Sequence, residues 1–439
     1  LHTQGKARFQ LGIHYVTINL LASAIFLIGL GMIYGSVGSL NMADVSRLVP
    51  TLEPDQHKLA IAGGMLLFVV FGIKAAILPV GLWLPKTYAV ATTPVAAIFT
   101  IMTKVGIYAI LRVNVTVFDD VLAQNILKHW LLIIGLVTSL YGVIGAIGAD
   151  RLRRFVGFMV LSSIGTIIIA ISMFNTQAWA AALYYLVHST LIAAAFYLLC
   201  GWITSQRGSF KDHLKVAPRM KQGKTVAMVY FIIAMMMAGL PPFSGFLGKV
   251  FILQATHDQS YQAWMIAIIL IVSLLSIIAL TRVGFVLFWR STAPEENEKE
   301  PAFIAYQKLP DHAPARNDLT IYALLTGLII YVICAPSIYS YSLSTAAQIQ
   351  DHALYTNSIL SKDRFGQVIS VQPYDPSYVP ETKYGGETID PYAHYIPDVI
   401  SDDTLEGEHI SEYKKRQIEQ EQQDQDIVPN ESELKPMEP

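Results

Sequence analysis

Four ionisable side chains lie inside stretches otherwise apolar enough to cross a lipid bilayer: Lys74 in FGIKAAILP, Lys104 in IMTKVGIYAI, His188 in LYYLVHSTLIA and Lys249 in GLPPFSGFLGKVFIL. A charge at the bilayer centre costs at least about 2.5–3.5 kcal/mol on insertion scales, so intramembrane ionisable residues are candidates for function by default. Desolvation favours the uncharged form of a lysine, and a histidine titrates near neutrality without help. Three lysines and one histidine on separate spans therefore read as stations of a proton relay. The competing reading makes Lys74 or Lys104 a structural partner of a carboxylate, and His188 a packing residue.

Polar neighbours recur beside these groups. Thr100, Lys104 and Tyr108 repeat at i+4 with Thr103 beside them, and Tyr184, Tyr185, His188 and Ser189 share i+3 and i+4 spacing. Such stripes should face the bundle interior or a wet cavity rather than acyl chains. Ser163 and Ser244 join Thr100, Tyr108 and Tyr184 as candidates to line the relay.

The elements that must position these residues follow from composition. The chain has 439 residues, of which 53% are hydrophobic and 15% charged, far more apolar than a soluble domain with roughly 25% charge. It is an integral all-α membrane protein. Apolar stretches of spanning length are expected at about 13–35, 59–84, 90–112, 130–149, 155–174, 179–204, 225–256, 263–289 and 320–340, nine crossings in all. The stretch 225–256 is longer than one span needs, and it holds Pro241 and Pro242 with Gly239, Gly245 and Gly248 around them. It is expected to be interrupted, because proline removes a backbone donor and clashes with the preceding turn. Pro79, shortly after Lys74, marks a milder break. Interrupted helices in two halves of a chain point to a transporter site; a packing kink is the alternative.

Residues 1–340 carry 24 Lys and Arg against 14 Asp and Glu, while 341–439 carry 7 against 19. Basic residues that mark cytoplasmic loops favour a cytoplasmic N-terminus (Lys6, Arg8), with Lys86, the Arg151–Arg154 cluster and the 207–224 loop on that side. The tail, rich in Tyr, Pro, Asp, Glu and Gln, would then be periplasmic. It reads as disordered or as extended docking onto a partner, with a plain solvated tail as the alternative. Cys200 and Cys334 each stand alone in an apolar stretch and read as packing residues, so no disulfide framework or CxxC site is available. No cofactor or metal is expected. The start at Leu1, with LHTQGKARFQ too polar for a signal peptide, suggests that an N-terminal part is missing.

Taken together, FGIKAAILPVGLWLP, TKVGIYAILR, LYYLVHSTLIAAAFYLLCG and GLPPFSGFLGKV closely resemble the antiporter-like subunits shared by respiratory complex I and the multisubunit Mrp-type cation/proton antiporters. HYVTINLLASAIFLIGLGMIYGSVGSLNMADVS is most similar to the D-type branch of the Mrp group, in particular the bacterial K⁺/H⁺ Pha type. The resemblance covers roughly residues 1–340. It implies a fourteen-helix, inverted-repeat fold, truncated here to about nine helices. The repeats would be 1–112 (remaining helices of the first) and 113–290 (second), followed by a loop and last helix at 291–340 and an acidic tail at 341–439. It also implies that Lys74, Lys104, His188 and Lys249 occupy the relay positions, that Ser163 stands where complex I relatives often have another histidine, and that a glutamate paired with Lys74 would lie before Leu1. The expected role is a proton-translocating subunit of a monovalent cation/proton antiporter in the bacterial inner membrane, not an enzyme. Its partners would be the other subunits, lipid, protons and K⁺ or Na⁺, with no nucleic acid. Two alternatives stay open: a proton-pumping subunit of an NADH:quinone oxidoreductase, and a structural membrane subunit whose tail recruits a partner.

Overall fold

Proline opens three of the helices that carry or support the charged residues, at the first-turn positions Pro54, Pro85 and Pro94, where its missing N–H has no intrahelical acceptor to lose. The computed structural model describes residues 6–115, 117–118, 121–290, 315–351, 355–356 and 359–360. In chain order the helices are α1 (Lys6–Val37), α2 (Met42–Leu48), α3 (Pro54–Ala75), α4 (Leu84–Val90), α5 (Thr93–Ala109), α6 (Val121–Ile147), α7 (Leu152–Ile171) and α8 (Thr176–Ser205). They continue with α9 (Gly223–Ala238), α10 (Ser244–Gln254), α11 (Gln262–Gly284), α12 (Ala315–Ile333) and α13 (Ala335–Gln350). Wide π turns extend α5 and α11, over Ile110–Val115 and Phe285–Trp289.

Among the described residues seven helices are long and apolar enough to cross a membrane, those built on α1, α3, α5, α6, α7, α8 and α11. The other two expected crossings are interrupted. The 225–256 stretch divides into α9 and α10, as the proline pair required. The expected straight span 320–340 does not form: the chain bends by 78° between Leu319–Ile333 and Ala335–Gln350. Pro336 stands in the first turn of α13, where it cannot continue a preceding helix. Cys334, expected to pack in that span, is instead exposed at the bend. α13 also runs to Gln350, past the expected boundary at 340, and Lys86 lies on α4 rather than in a loop. Most of the acidic tail beyond it, and residues 291–314, where a loop is expected, lie outside the described residues.

α7 and α8 form the centre and are buried along most of their length, whereas α1 lies at the rim. Small residues set the closest approach. A Cβ on Gly142 would stand 2.3 Å from the Ser162 nitrogen, and one on Gly165 2.3 Å from that of Ser139, so α6 and α7 meet backbone to backbone, as membrane helices do when packing rather than hydrophobicity drives association.

The basic residues from which sidedness is expected also have structural work. Arg153 Nε donates to Asp212 at 3.2 Å and its Nη1 donates to the Ala91 carbonyl at 3.1 Å. Leu152 N–H donates to the Asp212 carbonyl at 2.7 Å and Leu214 N–H to that of Asp150 at 2.9 Å, so the 206–222 loop is clasped to the start of α7 and the end of α4. Arg207 is buried and donates to the carbonyls of His213 and Lys215 at 2.6 and 2.7 Å. Burial lowers its pKa to about 10, and Asp212 opposes that shift. Asp212→Asn should lower the stability of the purified chain by about 1–3 kcal/mol, because it leaves the partly buried Arg153 without its counter-charge. Thermal unfolding in detergent measures this, and an unchanged midpoint would mean that the clasp contributes nothing.

Candidate functional site

Two helix breaks organise the site, and they are built alike. α3 ends with Ala76 and α9 with Gly239 in the left-handed conformation, at φ 60° and 80°. Beyond each, the next N–H reaches back to close the last turn: Ile77 to the Gly72 carbonyl and Leu240 to the Met235 carbonyl, both at 3.1 Å, the bonding of a Schellman cap. A proline follows three positions after each left-handed residue, Pro79 and Pro242. The spacing between breaks is therefore the same at both landmarks, 239 − 76 = 242 − 79 = 163 residues. Pro79, Pro241 and Pro242 are exposed at the turns themselves.

Backbone groups freed at membrane depth need partners, and side chains supply them. At the first break the Leu78 N–H donates to Thr138 Oγ1 of α6 at 3.1 Å, and Trp83 Nε1 donates to the Ile73 carbonyl at 3.1 Å. A Cβ on Gly81 would fall 1.9 Å from the Ala76 carbonyl oxygen, so the return to α4 requires glycine there. At the second break the carbonyl of Ala238 accepts from Lys249 Nζ at 2.7 Å. Lys249 thus closes the break it sits beside.

Lys249 is buried on α10, with its ammonium also 3.0 Å from Ser273 Oγ of α11. His188, on α8 and fully packed, places Nδ1 2.8 Å from Ser244 Oγ, the first residue of α10. Gly245 makes this approach possible: a Cβ there would stand 2.7 Å from His188 Nε2 and 2.4 Å from the Met236 carbonyl oxygen. His188 and Lys249 line one small cavity together with Ser163, Thr166, Tyr185 and Ser276. It leaves about 20 Å³ for the centre of a water molecule, which is room for about one water, among the polar partners a water needs.

The other two candidate residues, Lys74 and Lys104, are not among the lining residues of that cavity. Lys74 occupies the last turn of α3, half-buried, and its ammonium donates to Asn19 Oδ1 of α1. Lys104 is buried on α5, and its ammonium has no hydrogen-bond partner among the described residues. Gly106 brings α5 against the end of α3, since its Cβ would lie 2.5 Å from the Ala75 nitrogen. Thr100, also buried, lies with its hydroxyl 3.4 Å from the Thr190 carbonyl oxygen of α8. In succession α3 packs on α5, α5 on α8, α8 on α10 and α10 on α11, so the four ionisable groups sit on neighbouring helices in the order Lys74, Lys104, His188, Lys249.

Of the five expected lining residues Ser163 lines the cavity, Ser244 bonds His188 and Thr100 is buried where α5 meets α8, while Tyr108 and Tyr184 point elsewhere. Tyr108 is 49% exposed, because a step of i+8 from Thr100 rotates it about 80° off the buried face at 100° per residue. Tyr184 is buried but turned from the cavity. Its ring meets Phe251, Tyr331 and Tyr339 at centroid distances of 5.3, 4.8 and 6.5 Å, which ties α8 to α10, α12 and α13.

Comparison with known proteins identifies the family. Residues 2–278 match the family described as NADH:quinone oxidoreductase/Mrp antiporter, TM. The chain belongs to this family. Among its relatives, the D-type subunit of a probable K⁺/H⁺ antiporter from Rhizobium meliloti is 36% identical over 321 residues, 66% of this chain and 60% of the relative. The D-type subunit of the Na⁺/H⁺ antiporter from Alkalihalophilus pseudofirmus is 32% identical over 362 residues, 82% of this chain and 70% of the relative. The chain therefore spans 60% and 70% of the lengths of these two relatives. A chain in the Mrp complex of Dietzia sp. superposes with a TM-score of 0.66 at 26% identity, over 81% of this chain and 70% of the other. At 19% identity, a chain of respiratory complex I from Thermus thermophilus shares the fold with a TM-score of 0.64, over 80% of this chain and 70% of the other.

For this family member, reasoning from sequence misses Asn19, Ser273 and Ser276. Asn19 is the one amide inside the apolar run of α1, and Ser273 and Ser276 are an i+3 polar pair in LIVSLLSIIAL. Both signals are present in the chain. Uncharged polar residues cost less to bury than lysines, so they stand out less.

Proposed function

We propose that this chain is a proton-translocating membrane subunit of a multisubunit monovalent cation/proton antiporter. K⁺ or Na⁺ is the exchanged ion, and the other subunits of the complex are the partners. The observation that carries the reading is the shared cavity: His188 and Lys249 meet at a helix break, in a space sized for about one water, where a proton can pass between an imidazole and an amine without crossing lipid. Lys104 has no competing hydrogen-bond partner among the described residues and lies on α5, which packs on α8, and Lys74 terminates the row at the first break. The equal spacing of the two breaks supports two repeats, 1–112 and 113–290. The names of the relatives above 30% identity support an antiporter, whereas the complex I likeness speaks for the fold alone.

In this reading the membrane is a bacterial inner membrane, the face with the Arg153 clasp is cytoplasmic, and the acidic tail belongs to the opposite face. Charge moves laterally along Lys74, Lys104, His188 and Lys249. The test is His188→Gln in the assembled complex, since glutamine keeps a hydrogen-bonding group near Ser244 but cannot relay a proton near neutral pH. Inverted vesicles carrying the variant complex should fail to dissipate a pH gradient when K⁺ or Na⁺ is added. Exchange at the unmodified rate would overturn the reading.

A further inference from the structure

One cleft is remote from the proposed relay. It measures about 990 Å³ and lies where the end of α8, the start of α9, the π turn after α11 and the start of α12 meet. Four helix ends converge there, so the cleft opens at a membrane face, the one that carries the basic 207–224 loop.

We propose that this cleft binds the headgroup and upper acyl region of an anionic phospholipid. Its rim carries the basic side chains of Arg219, Lys221 and Lys224, and no acidic side chain is among the described lining residues. The rim also includes the first turn of α9, the positive end of whose dipole favours an anion. Trp289 is 68% exposed and Tyr322 41% exposed at the edge, the aromatic character found at the level of lipid headgroups. The floor is apolar, formed by Phe231, Leu287 and Phe288, and it is held rigid by ring contacts of Phe231 with Phe288 and Trp289 at 6.1 and 6.0 Å. A free phosphate would satisfy the rim and leave that floor wet. A diacyl phospholipid covers both, and basic pockets between membrane helices suit such headgroups. The proposal does not depend on proton exchange.

The full chain, reconstituted in phosphatidylcholine vesicles, tests it through tryptophan fluorescence, with the Trp289→Phe variant subtracted to isolate Trp289. Phosphatidylglycerol brominated on its acyl chains should quench Trp289 at least about twofold more than brominated phosphatidylcholine at equal mole fraction. The preference should vanish in Arg219→Gln/Lys224→Gln, and also in the unmodified chain at high salt, which needs no folding control. Equal quenching by the two lipids overturns the proposal. So does a preference abolished by millimolar inorganic phosphate, which would make the cleft a site for a free anion. A preference that emerges only after Glu295, Glu296, Glu298 and Glu300 are replaced by Gln would also overturn it, because the chain's own acidic segment would then be the occupant.

Discussion

Replacing Lys249 with glutamine in the assembled complex is expected to cut cation-dependent proton exchange by about 10²-fold, the lower end of what a positioned proton-transfer group contributes. The fold should survive. Lys249 donates to the Ala238 carbonyl and approaches Ser273, and a glutamine amide can still donate toward that carbonyl across the break. Lys249→Met separates the two roles, since it fills similar volume with no donor and leaves a buried carbonyl unpaired at a cost of about 1–3 kcal/mol. Methionine should therefore lose stability as well as exchange, and glutamine exchange alone. Lys249→Arg supplies the third comparison, because a guanidinium keeps the charge and does not deprotonate. Arginine at 249 should be as inactive as glutamine if the lysine carries a proton, and active if only a fixed positive charge is needed. Flux in vesicles, read beside thermal unfolding in detergent, distinguishes these outcomes. Exchange by Lys249→Gln at the unmodified rate would remove Lys249 from the relay.

The second large effect is steric. Gly245→Ala places a methyl group 2.4 Å from the Met236 carbonyl oxygen and 2.7 Å from His188 Nε2. One contact is with backbone on α9 and the other with a packed ring, so neither can yield by rotating a flexible side chain. α10 must shift away from α8 and α9, and the hydrogen bond of His188 with Ser244 is lost with it. Overpacking of this kind costs about 1–3 kcal/mol, and exchange should fall because the stations separate. Gly31→Ala is the control. Nothing lies within 4 Å of a Cβ at Gly31, and alanine in a helix interior is favoured over glycine by roughly 0.5–1 kcal/mol, so its unfolding midpoint should hold or rise. If Gly245→Ala matched that control in stability and flux, the close approach of α8 and α10 would have no functional weight.

Much of this architecture is legible in the chain because membranes simplify the physics. Apolar runs of spanning length identify helices directly, and a lysine in such a run stands out because its burial is costly. Proline and glycine in AGLPPFSGFLGK place the second break for the same reason, since they act on the backbone they belong to. Direction is harder to read. Thr100, Lys104 and Tyr108 share a face over one step, but the helix drifts with each further step, and Tyr108 comes out on the surface. Tyr184 and Tyr185 are adjacent in sequence and so differ by about 100° around the helix, which sends one to an aromatic cluster and the other to the cavity. The bend at Cys334 escapes a reading by hydropathy although Pro336 is visible, because mean hydropathy does not register a break.

By itself, the sequence determined that this is a multi-spanning helical membrane protein, with ionisable groups at Lys74, Lys104, His188 and Lys249 and with two interrupted helices. Those properties are local: each depends on a residue and its chain neighbours. Only the tertiary structure decided which groups meet. It put Asn19 beside Lys74, left Lys104 without a hydrogen-bond partner among the described residues, joined His188 and Lys249 in one cavity with Ser163, and turned Lys249 onto the carbonyl that the break exposes. The physical reason is that such contacts depend on the separation and rotation of whole helices. Those are set by backbone-to-backbone packing at Gly106, Gly142, Gly165 and Gly245, where a missing side chain leaves no chemical signature of what it approaches.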